Sequence, residues 1–239
     1  MYKIKVYVVC SITLMCAFLF GGLLYTAFSD EPSLAVSAES QIDEPVIIID
    51  PGHGGEDGGA SANGLLEKDI NLSIALKLRD MLSSGGYQVV LTRDSDISVY
   101  DPSAGTTREK KVSDLQNRVE IINGSKNNIL VSIHQNKFEQ EQYYGTQIFY
   151  STNDPRSEKL AQEIKSSVTG LLQPENKREL KPADSSIYIL SKAEVPAVIV
   201  ECGFLSNPEE AGRLSQDEYR KQMAFAVYCG IMSYTARNR

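Results

Sequence analysis

Short apolar blocks alternate along the chain with longer stretches in which apolar residues recur at every third or fourth position. Val46, Ile47, Ile48 and Ile49 are β-branched and closed by Asp50, Pro51 and Gly52, the pattern of a strand buried on both faces. Glu67 then opens a stretch in which Ile70, Ile74, Leu78, Met81 and Leu82 line one side of a helix, and Gly85 with Gly86 stops it. A strand is expected over 87–91. After a long polar loop, Ser113 and Gln116 fit a capping box for a helix carrying Leu115, Val119 and Ile122 and ended by Gly124. Strands follow over 129–133 and 145–150. Asp154 and Pro155 supply the N-cap and first-turn proline of a helix with Leu160, Ile164, Val168, Leu171 and Leu172 on one face. Two more strands, 187–190 and 197–200, precede Asn207-Pro208 at a helix start and a last helix bearing Tyr219, Met223, Val227, Ile231 and Tyr234.

Six strands interleaved with helices predict an α/β fold: a six-stranded, mostly parallel sheet with helices on both faces. Parallel neighbours need helical crossovers, and these cover the sheet. An antiparallel strand fits where a connection is short. Residues 6–28 break the pattern, because they are apolar, uncharged and without a polar face, follow Lys3 and Lys5, and lead into a polar, acidic stretch. This run reads as an export segment. It is longer than a usual signal-peptide core and matches the roughly 20 residues that cross a bilayer, which favours an uncleaved membrane anchor with the lysines inside; cleavage near Ala38 is the alternative. The expected organisation is a signal peptide or anchor over 1–29, a linker over 30–44, and one folded domain over 45–239, outside the cytoplasmic membrane.

The charge balance narrows the partners. With 24 Lys and Arg against 31 Asp and Glu, the net charge is −7, which disfavours a nucleic-acid binder of the basic-patch kind. Of the 4 cysteines, Cys10 and Cys16 lie in the apolar run, so the body holds at most one disulfide, Cys202 with Cys229. The 2 histidines, His53 and His134, both fall at expected strand ends.

Three buried strands therefore run straight into ionisable groups: 46–49 into Asp50 and His53, 129–133 into His134, and 197–200 into Glu201. Open α/β sheets bind ligands outside the carboxyl ends of their strands, so parallel neighbours would bring these side chains to one crevice. Glu67, in the first turn of the next helix, points back to the same end. Two imidazoles and a carboxylate are the His2Glu donor set of a catalytic zinc ion, and a further glutamate suits a general base. Taken singly, each residue has a plainer reading: a hydrogen-bonded histidine, or a carboxylate beside a helix dipole. Glu201 after four apolar residues is harder to dismiss, since desolvating a carboxylate is costly without a partner. The glycine-rich segment 52–59 is not a phosphate loop, because its spacing is wrong and its two acids would repel a polyphosphate. Its glycines are expected to turn the backbone tightly so that His53 faces the crevice. The charged stretch 94–111 reads as solvated surface, with a groove wall as the alternative.

The strings Ile49-Asp50-Pro51-Gly52-His53-Gly54-Gly55, Leu66-Glu67-Lys68-Asp69, Val131-Ser132-Ile133-His134-Gln135-Asn136 and Val200-Glu201-Cys202-Gly203-Phe204-Leu205-Ser206-Asn207 resemble the signature segments of the zinc-dependent N-acetylmuramoyl-L-alanine amidases. They occur in the family's order over about residues 45–235. The resemblance implies one Zn²⁺ bound by His53, Glu67 and His134, with Glu201 as the catalytic glutamate. It implies cleavage of the amide between N-acetylmuramic acid and L-alanine in peptidoglycan by a catalytic domain over 45–239. Asn136, Glu56 and Asp50 are further candidates for touching substrate or orienting the ligands. Gln135 departs from the small residue common in the family and is expected to alter the substrate groove more than the metal. The stretch 108–115 is similar to that of the sporulation and germination branch of the family, which implies action on spore-cortex peptidoglycan and an accessory protein needed for zinc binding and activity. A zinc peptidase and a non-catalytic cell-envelope binding module are the competing readings.

Overall fold

The computed structural model describes residues 45–237. The expected export segment and linker, 1–44, lie outside them. No helix among the described residues is long and apolar enough to cross a membrane.

Among the described residues, eight strands and six helices follow one another in the order β1 (Val46–Pro51), β2 (Ser61–Ala62), β3 (Leu65–Leu66), α1 (Glu67–Ser84), β4 (Val89–Leu91), α2 (Thr107–Ile122), β5 (Asn128–Asn136), β6 (Gln147–Tyr150), α3 (Arg156–Leu171), β7 (Lys181–Pro182), α4 (Tyr188–Lys192), β8 (Ala197–Phe204), α5 (Pro208–Leu214) and α6 (Asp217–Arg237). Six strands form one sheet in the order β4-β1-β5-β8-β6-β7, and β2 with β3 forms a separate hairpin. The pairs β4-β1, β1-β5, β5-β8 and β6-β7 are parallel, whereas β6 runs antiparallel to β8. The α/β class and the mostly parallel six-stranded sheet are as expected.

Strand alternation divides the core into two layers. Ile47 and Ile49 of β1, Val131 and Ile133 of β5, and Val198 and Val200 of β8 join the buried faces of α1, α3 and α6. Ile48, Leu130, Ala197 and Ile199 point the other way, onto Ile122 of α2 and Ile189 and Leu190 of α4. Both sheet faces are covered, as central parallel strands require.

Three local expectations change. Residues 187–190 form not a strand but the start of α4, and the sixth strand is the two-residue β7. A four-residue apolar block is compatible with either state, and here α4 packs over the sheet with Leu190 fully buried. Helix α2 begins at Thr107, with its capping box made by Thr106 and Glu109 rather than Ser113 and Gln116. Helix α3 starts one residue later than expected, at Arg156, and Asp154 Oδ1 accepts from the Arg156 N–H at 2.8 Å. Asn207 caps α5 by accepting from Glu210 N–H, with Pro208 in its first turn, as expected. Cys202 and Cys229 are both free thiols.

Candidate metal centre

The parallel order β1-β5-β8 brings the carboxyl ends of three strands together. β5 and β8 continue past the apolar runs to Asn136 and Phe204, so His134 and Glu201 lie inside the strands and are register partners across the β5-β8 ladder. Residues opposite each other in a ladder share a face, so both side chains point to one side of the sheet end. His53 arrives from the turn after β1. Glu67, the first residue of α1, is held back toward that turn by its own backbone N–H, which donates to Ala60 O.

His53, Glu67 and His134 each offer a ligand atom within 4.8 Å of the others, the only such group of three or more metal-binding side chains among the described residues. Nδ1 of His134 lies 2.8 Å from Glu67 Oε1, and Nε2 of His53 lies 3.3 Å from Glu67 Oε2. The two imidazoles meet edge to face with centroids 5.1 Å apart. Glu67 is buried and accepts further from Gln135 N–H on Oε1 and Ala60 N–H on Oε2. Burial pushes its carboxyl up, but the hydrogen bonds and charge of the two histidines hold it well below the usual carboxylate range. For His53, burial disfavours the charged ring, yet Asp57 and Glu67 outweigh it and raise its pKa to about 9. The carboxylates that draw a proton to this ring draw a cation for the same electrostatic reason, and a bound ion would displace that proton.

Glu201 completes the group. Its Oε2 is shielded from solvent and has no hydrogen-bond partner, although the residue as a whole is half-buried. Burial, aided by the Glu67 charge and opposed by the histidines, raises its pKa to about 7. An orphaned carboxylate oxygen beside two imidazoles and a second carboxylate fits a divalent cation with a reacting water: the three-ligand set leaves a coordination position open, and a proton acceptor stands next to it.

The local backbone is built to seat these rings. His53 takes a left-handed conformation, φ 63°, which is unfavourable for a residue with a Cβ. Two buried guanidiniums hold the carbonyls around it. Arg118 donates to Pro51 O and, at 2.8 Å, to His53 O, while Arg93 donates to Pro51 O and Gly52 O. Asp50 does not touch a ligand. It is fully buried, accepts from Thr92, Ser132 and Arg118, and so acts on His53 only through Arg118. Glu56 points away, into an ion pair with Lys110, and its neighbour Asp57 takes the expected place with Oδ2 at 2.9 Å from His53 Nδ1. The Asn136 amide oxygen accepts from Lys137 N–H and closes the turn out of β5; no contact with His134 is seen among the described residues. Gln135 is buried and donates to Asn71, which in turn donates to Gly52 O, so this residue belongs to the support under the ligands and not to the groove.

Sequence reading missed Asp57, Arg93 and Arg118. Asp57 and Arg93 were hidden as charges in polar loops, and Arg118 as one polar position on a helix with few apolar residues. The stretch 94–111 is more than solvated surface: Asp96 accepts from Gly55 N–H and Lys68, Ser98 donates to Gly54 O, and Lys110 and Lys111 pair with Glu56 and Asp57. The contacts of Asp96, Ser98 and Lys111 brace the loop that carries His53, whereas the Lys110–Glu56 pair is exposed and reaches no ligand.

A sequence model of the family described as N-acetylmuramoyl-L-alanine amidase matches residues 47–233. The germination-specific N-acetylmuramoyl-L-alanine amidase of Bacillus subtilis (strain 168) is 36% identical over 189 residues, covering 79% of this chain and 79% of that protein. Among solved structures, the CwlD amidase of Clostridioides difficile in complex with the GerS lipoprotein is 44% identical with a TM-score of 0.78, covering 81% of this chain and 100% of that one. The amidase AmiC2 of Nostoc punctiforme is 32% identical with a TM-score of 0.69, over 81% and 98% of the two chains.

Proposed function

Since the chain belongs to the N-acetylmuramoyl-L-alanine amidase family, we propose that it uses one zinc ion, held by His53, Glu67 and His134, to hydrolyse the amide between the lactyl group of N-acetylmuramic acid and L-alanine in peptidoglycan. The observation that carries this reading is the meeting of those three ligand atoms within 4.8 Å beside the unpartnered Glu201 Oε2. Bound there, zinc supplies Lewis acidity, which polarises the scissile carbonyl and makes a water acidic enough to attack near neutral pH.

The chain's own residues do the proton work. Glu201 takes the proton of the attacking water and afterwards gives it to the departing amine of L-alanine. Burial raises the Glu201 carboxyl above the usual glutamate range in the metal-free protein, which favours its taking a proton from a water beside it. Glu67 gains its orientation from Gln135 N–H and Ala60 N–H, and His53 from Asp57, so these two donors stay in place when the proton moves.

The relatives support a finer placement. One is named germination-specific, and another was solved as a complex of CwlD with a lipoprotein. We assign this chain to spore-cortex peptidoglycan, where removal of stem peptides precedes muramic-δ-lactam formation, and to export with residues 1–29 as signal or membrane anchor. An accessory protein is expected to support its activity.

The test is product analysis with zinc in excess, on cortex-type and vegetative peptidoglycan. Intact stem peptides with new free L-alanine amino groups are expected. Shorter peptides would identify a peptidase instead, and an unchanged polymer in the presence of bound zinc would favour a wall-binding module.

A further inference from the structure

His53 is gripped from two sides. Its Nε2 faces Glu67, while its Nδ1 lies 2.9 Å from Asp57 Oδ2. An ionised carboxylate only accepts, so Nδ1 carries a hydrogen to Asp57, and Nε2, which faces Glu67, is the nitrogen left to meet a cation. The same Oδ2 also receives Lys111 Nζ, at 2.6 Å, from helix α2, 54 positions along the chain from Asp57. Oδ1 accepts from Gly59 N–H at 3.1 Å, and the Asp57 backbone is pinned by a two-way bridge to Gly54. Both oxygens of one carboxylate are thus engaged, and a single oxygen joins the ligand to the helix.

We propose that Lys111 is a positioning residue for the metal centre: acting through Asp57, it fixes the tautomer and orientation of His53 so that Nε2 is the nitrogen offered to the ion. This rests on the reading of His53, Glu67 and His134 as metal ligands. Lys111 is otherwise dispensable to the fold. Its side chain is 46% exposed, and an ion pair of that exposure adds little to stability. What it adds is definition, because without the ammonium only the His53 ring that it is meant to orient still holds Asp57 Oδ2, and ring and carboxylate can shift together toward the adjoining cavity of about 290 Å³ lined by Ser98, Tyr100 and Thr107. The hydroxyl and ammonium groups there offer the carboxylate alternative donors. Lys110, one residue earlier, pairs instead with Glu56 and sits over the Tyr100 ring, touching no ligand. It is a built-in control on the same helix turn.

The experiment is a double-mutant cycle read as zinc affinity, by competition with a chromophoric chelator, alongside thermal midpoints of the metal-free proteins. Asp57→Ala should weaken zinc by about 10- to 100-fold, as removal of such partners does. Lys111→Met should weaken it several-fold, Lys111→Arg should restore most of that loss, and Lys110→Met should leave it unchanged. The double variant Asp57→Ala/Lys111→Met should bind no more weakly than Asp57→Ala alone, since Lys111 has then lost the residue it acts through. Unaltered zinc affinity in Lys111→Met, losses that multiply in the double variant, or a fall in metal-free melting temperature that parallels the loss of zinc would each overturn the proposal. A parent protein that binds no zinc would overturn the metal site itself.

Discussion

Gly52 lies directly against the imidazole of His134: a Cβ built on Gly52 would overlap the ring at Cε1 and Nε2. The glycine is needed for space, and its carbonyl is held at the same time by Arg93 and Asn71. Retreat of the backbone is therefore blocked, and Gly52→Ala should displace the ring. We expect a folded protein with native circular dichroism and a loss of turnover on the order of 100-fold, the usual cost of moving a reacting group by about 1 Å. Zinc titration and kinetics on a soluble muropeptide check this.

Glu201→Gln separates catalysis from metal binding. The amide keeps the shape but takes no proton, so zinc should remain bound while turnover falls by about 10²- to 10⁴-fold. Stability should move the other way. Burial raises the folded-state pKa to about 7, well above the usual glutamate range, so the carboxylate destabilises the fold once pH exceeds its unfolded value, and the penalty is complete above about 7. The metal-free variant should be more stable than the metal-free parent at pH 8, by on the order of 2 kcal/mol, with no gain near pH 4. Urea unfolding at the two pH values measures it.

Sequence pattern revealed the frame of this site and hid its supports. The β-branched blocks of β1, β5 and β8 are unambiguous, and each leads to an ionisable residue, so the convergence of His53, His134 and Glu201 followed from sheet topology. Helix α4 was misread because Ile187, Tyr188, Ile189 and Leu190 are too few to show a period. The strand β7 consists of Lys181 and Pro182, which carry no apolar signal. Thr106-Glu109 and Ser113-Gln116 both fit the capping-box spacing, and only the tertiary contacts of α2 decide between them. Asp57, Arg93 and Arg118 are charged residues whose value lies in what they touch across long stretches of chain, and no local pattern reports that.

Asp50 ties acid stability to the site. Burial pushes its carboxyl up, but Arg118, Ser132 and Thr92 reverse this and hold its pKa at about 2, below the usual aspartate range. A depressed carboxylate stabilises the fold above its unfolded pKa and loses that contribution as pH falls through the folded value. Between pH 4 and pH 2 the parent should lose on the order of 2 kcal/mol from this group. Asp50→Asn should lack that part of the acid dependence and be weaker at pH 7 by about 2 kcal/mol, because Arg118 loses the charge of Asp50 but keeps its second buried carboxylate, Asp114. Denaturant unfolding across this range distinguishes the two proteins.

The central claim is that three side chains from β5, α1 and the turn after β1 hold a single zinc ion. Titration of the metal-free protein with zinc against a competing chromophoric chelator tests it most directly. The account predicts one equivalent bound by the parent and by Glu201→Gln, and a large loss of affinity in His53→Ala, Glu67→Ala and His134→Ala. Equal binding by the parent and any of those three ligand variants would contradict it.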